Sequence, residues 1–318
     1  MLQIMTKRRI KFLFRFSIGF AILCILLWKI GPSKIGGAFS QFKGSAFALV
    51  NLTTAFAFLV AGLEVLVLGR TMSEKLRWVR GIKGFLATTS FSLFVPGRAG
   101  DFALLFYWKD FLSYEECFTV VLLDKVIIVW WTLLLGAVGT RVIFGAYLGL
   151  IILLPGVLAI PVFLLLIPGD KAYRALSRVV PGRILPNFQG MINALRFILK
   201  DGRKSLFVAT AITGVRMLIY GLSFWILMQG FSIDCPFSYS LFTIIIAQLT
   251  SLIPISIMGL GTVEAVTIYC LSGLKIDSGA IIAAQFAGRI VYISWLFLFF
   301  ILFSSKKTQI VDPAGLSG

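Results

Sequence analysis

The sequence contains no histidine. That absence removes the usual general base, the commonest metal ligand and the mechanisms built on either. Acids are scarce too: 13 Asp and Glu stand against 30 Lys and Arg, a formal net charge of +17. A continuous basic patch would suggest nucleic acid, but these residues fall in short runs between apolar segments. Membrane topology and anionic headgroups account for that pattern, and no nucleic-acid partner is expected. The few cysteines, Cys24, Cys117, Cys235 and Cys270, are dispersed without CxxC spacing. They suggest apolar packing, neither a metal site nor a disulfide framework. No metal or other cofactor is expected.

Apolar residues are what the chain has in plenty, 59% of its 318 positions. Uninterrupted apolar runs at 12–30, 45–69, 115–139, 142–168, 204–230 and 278–303 are long enough to cross a bilayer core. Pro155 and Pro161 should kink the run over 142–168. The N-terminal basic stretch Lys7, Arg8, Arg9, Lys11 and Arg15, followed by apolar Phe16 to Ile30, looks like a signal peptide. Lys29 near its end and the lack of a small-x-small cleavage site favour a first transmembrane helix.

Two further apolar segments are interrupted, one in each half. The first, Gly84 to Trp108, is broken by Pro96, Gly97, Arg98, Gly100 and Asp101. The second, Leu241 to Leu271, is broken by Pro254, Gly259, Gly261 and Glu264. Asp101 precedes Lys125 by 24 residues and Glu264 precedes Arg289 by 25, so each acid is followed by a base inside the next long helix. Paired broken segments of this kind point to a midplane site in a transporter with internal repeats.

Charge arranges the topology. If both broken segments crossed fully, the basic stretch from Asp170 to Lys204 would lie outside, against the positive-inside rule. If each enters and leaves on one side, only Lys29, Lys34, Lys43, Arg141 and Lys275 lie outside, with Arg98, Lys125, Arg216 and Arg289 at membrane depth. The expected fold is therefore all-α and polytopic, about six full transmembrane helices plus two re-entrant or broken helical hairpins in inverted repeats. A plain eight-helix protein with two kinks is the competing arrangement. The single membrane domain over 1–318 divides into an N-terminal helix (1–44), a first repeat (45–139), a connecting helix and amphipathic loop (140–203), a second repeat (204–303) and a short tail (304–318). Both termini are expected on the cytoplasmic side of the inner membrane. Within the loop, Phe188, Met191, Ile192, Leu195, Ile198 and Leu199 make an apolar stripe, predicting an amphipathic helix on the cytoplasmic interface or a solvated connector.

Eight charged residues fall at membrane depth: Glu64, Asp101, Asp124 and Glu264 against Arg98, Lys125, Arg216 and Arg289. Each costs roughly 2.5–3.5 kcal/mol on insertion scales, so each should find a partner or a watery cavity. Full pairing as structural ion bridges is one reading. In the other, Gly97 and Gly100 open a half-helix whose free N–H groups, with Arg98, suit a phosphate. Gly259 and Gly261 open the corresponding half-helix, where Glu264 could cap, pair with Arg289 or carry a proton. Arg216 has no acid nearby in sequence and is a second candidate for headgroup contact. Consecutive helix positions diverge by about 100°, so Asp124 and Lys125 are not expected to face each other.

At these residues the chain resembles the transmembrane (flippase) domain of lysylphosphatidylglycerol synthases and its stand-alone form, the UPF0104 family. Pro96, Gly97, Arg98, Gly100 and Asp101 match the first-half motif, Asp124 and Lys125 an acid-base pair in the following helix, and Pro254, Gly259, Gly261 and Glu264 the second-half motif. Met258 stands where the family has a first glycine, Asp101 where Glu is commoner, and Asp124-Lys125 where Glu-Arg is commoner. The resemblance implies lipid handling, with stand-alone relatives linked to hopanoid or polyprenyl lipids. The short tail leaves no room for the soluble aminoacyltransferase domain, so lysyl transfer is not expected and the protein is read as a non-enzyme.

The expectation is a lipid flippase or transporter. Gly97, Arg98, Gly100, Arg216, Gly259 and Gly261 would bind the headgroup, and Asp101, Asp124, Lys125, Glu264 and Arg289 would couple charge to movement. The alternatives are an intramembrane transferase acting on a lipid-linked substrate, with Asp101, Asp124 or Glu264 as base, and a membrane scaffold for a lipid-modifying enzyme. Expected partners are membrane lipids (anionic phospholipid, polyprenyl or hopanoid-type), with a homodimer or a lipid-modifying enzyme as further candidates.

Overall fold

The computed structural model describes residues 32–40, 42–91, 96–145, 147–166, 185–252 and 259–304, with the isolated helical positions Ile25 and Trp28. Most of the expected first span, the loop from Asp170 to Arg183, Pro254, Met258 and the tail after Ser304 lie outside the described residues. Among the described residues every regular element is helical. In chain order these are α1 (Pro32–Ser40), α2 (Gly44–Met72), α3 (Trp78–Ser90), a 3-10 segment (Pro96–Ala103), α4 (Leu104–Trp108), α5 (Tyr114–Phe144), α6 (Leu148–Leu166), α7 (Leu185–Lys200), α8 (Arg203–Gly230), α9 (Phe237–Leu252), α10 (Thr262–Leu271), a 3-10 turn (Ser272–Leu274) and α11 (Ser278–Ser304).

Among the described residues, four helices, α2, α5, α8 and α11, are long and apolar enough to cross a membrane. The chain is an all-α, multi-pass membrane protein. Large apolar side chains stand exposed at helical spacing, Leu49, Leu52, Phe56 and Leu59 on α2 and Ile290, Ile293, Phe297 and Ile301 on α11. In water such stripes would be a liability, but in a bilayer they meet acyl chains. Polar residues within these helices satisfy themselves locally: Thr132 donates to the Ile128 carbonyl at 2.7 Å and Thr213 to the Ala209 carbonyl at 3.0 Å. That i−4 bonding lets a hydroxyl sit at membrane depth without an outside partner.

The expected span over 142–168 begins later than the hydropathy suggests. Gly145 adopts φ +65° and ends α5, its N–H bonding the Arg141 carbonyl, while Arg141 donates to the Gly145 carbonyl at 2.9 Å and lies over the Tyr147 ring. A left-handed glycine terminates a helix whatever its hydropathy. Pro155 and Pro161 remain inside α6.

Both interrupted segments fold back on themselves, and from opposite ends of the bundle. In the first, which starts at Trp78 rather than Gly84, fully buried Trp108 lies where a Cβ on Gly84 or on Gly69 would meet it. Entry near α3 and exit through α4 therefore both sit beside the α2 C-terminus. In the second, Tyr239 near the start of α9 shares a core cluster with Ile268 and Leu271 near the end of α10, together with Phe42 just before α2 and Val50 in its second turn. With helical arms of 13 residues in α3, 16 in α9 and 10 in α10, none reaches across the roughly 30 Å apolar core. Helices α2 and α8, which open the two units, run antiparallel, as contacts Thr53–Ser223 and Glu64–Arg216 require.

The amphipathic helix forms as α7, but its stripe is spent on protein. Ile192 and Ile198 are fully buried, and Leu195 and Ile198 join a cluster with Val65, Leu68, Val120 and Ala209 from α2, α5 and α8. Gly190 lies against the Glu115 side chain, where a Cβ would meet Cγ at 2.7 Å. The centre of the stripe, Ile192, Leu195 and Ile198, is therefore covered by protein, where three helix ends meet.

Candidate functional site

The broken segments deliver their acids to mid-depth. Lys125 and Arg289 each lie eleven residues past the first residue of their helix, Tyr114 and Ser278, which is about 16 Å of rise and about half the apolar thickness. Lys125 Nζ sits 2.6 Å from Asp101 Oδ2, and Arg289 Nε sits 2.7 Å from Glu264 Oε1. The acid-base arrangement is thus present in both units.

The second pair is tied into the backbone. Gly259 and Gly261 adopt φ of +69° and +79°, conformations that favour glycine, and they turn the chain into α10. The Gly261 N–H donates to Glu264 Oε2 at 2.7 Å, so one carboxylate caps its own helix with one oxygen and accepts from Arg289 with the other. Arg289 also reaches the Gly259 carbonyl at 3.4 Å. Glu264 is fully buried and the neighbouring Gln285 donates to Thr267 Oγ1 at 2.8 Å. Capping and pairing therefore coexist at one residue.

The first pair opens on a cavity. About 80 Å³ of space, room for several waters, lies among Phe58, Phe85, Thr89, Gln248, Tyr220 and Tyr292, with Asp101, Asp124, Lys125 and Arg216 as its charged lining. These residues come from α2, α3, the 3-10 segment and α5 on one side and α8, α9 and α11 on the other. The cavity therefore lies between the two units. The acids differ, Asp101 being 18% exposed and Glu264 0%, while both bases are partly open, Lys125 at 29% and Arg289 at 20%.

One expectation is corrected here, and one residue gains partners that the sequence did not show. Asp124 and Lys125 do meet: Lys125 Nζ donates to Asp124 Oδ2 at 2.6 Å. The 100° between their Cβ vectors holds, but the four-carbon lysine stem carries its ammonium back around the helix, and both residues line the cavity. Arg216 has acids after all. Its Nη2 lies 2.9 Å from Glu64 Oε2 and 3.6 Å from Asp124 Oδ1, all three side chains being at most 5% exposed. It is engaged with carboxylates from α2 and α5.

Asp101, Asp124, Lys125 and Arg216 are thus brought together, with Glu64 added behind them, while Glu264 and Arg289 stand apart in the second unit. Gly100 is buried beside Asp101, and the Arg98 and Gly97 side-chain positions lie outside the described residues. Glu64 was visible in the sequence as the one charge in an apolar span, yet nothing in spacing joins it to Arg216, about 150 residues away. The aromatic and amide lining, Phe58, Tyr220, Gln248 and Tyr292, carried no sequence signal, since such residues are common in any transmembrane helix.

No curated protein matches the chain. The family model described as lysylphosphatidylglycerol synthase TM region matches residues 12–301, which spans both broken segments, all of the paired charges and the cavity between them. The chain belongs to the lysylphosphatidylglycerol synthase TM region family.

Proposed function

We propose that the protein moves a polar lipid headgroup across the cytoplasmic membrane, its tails remaining in the bilayer. The observation that carries this reading is the charged, water-sized cavity at half depth between two oppositely oriented units. A soluble cargo would need a closed vestibule, whereas a headgroup needs only a polar notch at the depth it must pass. Membership of a family named for a lipid synthase's membrane region supports a lipid substrate. In this reading Arg98, with the backbone around Gly97 and Gly100, contacts the phosphate of an anionic phospholipid, polyprenyl or hopanoid-type lipid. The glycines at 259 and 261 offer the equivalent approach from the other unit. Asp101–Lys125 and Glu264–Arg289 exchange partners as the cavity opens to one side or the other, and the termini are placed in the cytoplasm by the positive-inside pattern.

The test is lipid movement in proteoliposomes holding the purified protein and fluorescent phosphatidylglycerol, read by quenching of the outer leaflet. Wild type should speed the loss of the protected inner pool at least tenfold over empty vesicles, and Lys125→Gln with Arg98→Gln should return it to the empty-vesicle rate. Equal rates for the wild type and the double variant would sink the assignment of these residues. Release of a modified headgroup in the same vesicles would instead favour a transferase.

A further inference from the structure

The cavity cluster does not balance. Among the described residues it gathers three carboxyls, Glu64, Asp101 and Asp124, around two bases, Lys125 and Arg216. Lys125 is shared by Asp101 and Asp124, which leaves Glu64 and Asp124 to approach the same Arg216 nitrogen, Nη2. Glu64 is fully buried and Asp124 nearly so, and both reach for that one nitrogen, at 2.9 and 3.6 Å. Because both lie against one nitrogen, their oxygens are close neighbours in a buried site. Two buried carboxylates sharing one site repel, and one proton held between them relieves that repulsion.

We propose that Glu64 and Asp124 hold one proton between them and that this proton is the ion coupled to opening of the cavity. The inference rests on the transport reading for its coupling role, though not for the proton itself. Uptake forms one O–H bond on a carboxylate at the expense of a hydronium in water, and release reverses it. No electron moves.

The groups around the shared proton define what it would do. Facing it are Arg216 and Tyr220 from α8, Asp124 and Lys125 from α5, Asp101 from the 3-10 segment and Tyr292 from α11, the last uncharged at neutral pH. Without the proton, the described groups of the first unit carry three negative charges and one positive, facing Arg216 of the second. With it they carry two and one. Taking up the proton therefore halves the net charge that draws Arg216, and with it α8, toward α2 and α5. Protonation loosens the contact between units, and release tightens it.

The proton is read directly by infrared spectroscopy of the full-length protein in lipid, through the carbonyl stretch of a protonated carboxylic acid. Wild type at neutral pH should show that band, shifted in deuterium oxide, and it should be lost in Glu64→Gln and in Asp124→Asn. Its absence from wild type, or its persistence unchanged in both variants, would overturn the proposal; the wild-type reading holds even if one variant fails to fold. Coupling is read in proteoliposomes with an imposed pH gradient. Acceleration of labelled phosphatidylglycerol movement by several-fold, abolished in Glu64→Gln, is the expected result. A band with no response to the gradient, or a response to sodium instead, overturns the coupling. A band in vesicles that move no lipid overturns the transport reading and the coupling together, while still placing a proton at Glu64.

Discussion

Glu264 is a single carboxylate with two structural duties, and its replacement separates them. Glu264→Gln can still accept the Gly261 N–H but withdraws the charge facing Arg289, and breaking a buried pair on one side costs about 3–5 kcal/mol. The double variant Glu264→Gln with Arg289→Gln is expected to lose markedly less than the two singles together. Denaturant unfolding in detergent micelles reads this, and strictly additive losses would mean the pair contributes nothing of its own. Gly261→Ala should cost about 1–3 kcal/mol in the same assay, because φ of +79° strains any residue with a Cβ. These two residues were legible in the sequence because the acid, the glycines and the following base recur at matching distances in both halves. Arg216 was not. Its acids come from α2 and α5, and no one-dimensional spacing announces a contact made by three separate helices. Asp124 and Lys125 misled for a different reason: angular rules describe where side chains start, and lysine is long enough to end elsewhere.

Among the elements, α2 and α8 form the central contact, and glycine sets how closely α8 approaches its neighbours. A Cβ at Gly221 would meet the Leu241 backbone Cα at 3.0 Å, and one at Gly214 would meet the Trp131 ring at 2.6 Å. Trp131 in turn donates to the Thr210 carbonyl at 2.7 Å, so it is not free to step aside. Gly221→Ala is expected to destabilise by about 1–3 kcal/mol through overpacking against α9. A detergent melting temperature unchanged from wild type would show that α9 yields instead. The long helices were readable from hydropathy because a bilayer demands length and little else. The α5–α6 boundary was displaced by Gly145, a conformational signal that hydropathy ignores. The fate of the α7 stripe could not be read at all, since an apolar face looks the same whether lipid or protein covers it.

In the whole molecule, the units meet along α2 and α8, and this is where relative motion would have to pass. Thr53 and Ser223 hydrogen-bond across that contact at 2.9 Å. Cysteines at both positions, in a background without the native four, should form a disulfide on oxidation. If the units move against each other during lipid passage, the oxidised protein should lose nearly all its activity and recover it on reduction. Full activity while cross-linked would confine the motion to the hairpins. The antiparallel course of α2 and α8 was legible, because charge bias along the chain gave the two helices opposite directions. The cavity was not, since its walls are drawn from seven elements that only the folded chain assembles.

The two acid-base pairs differ in their surroundings though not in their chemistry. One acid opens on a cavity, the other is buried under its own helix cap. If the protein moves lipid as proposed, the two acids would trade these surroundings, Glu264 opening as Asp101 is covered, and the present difference would mark which side the cavity faces.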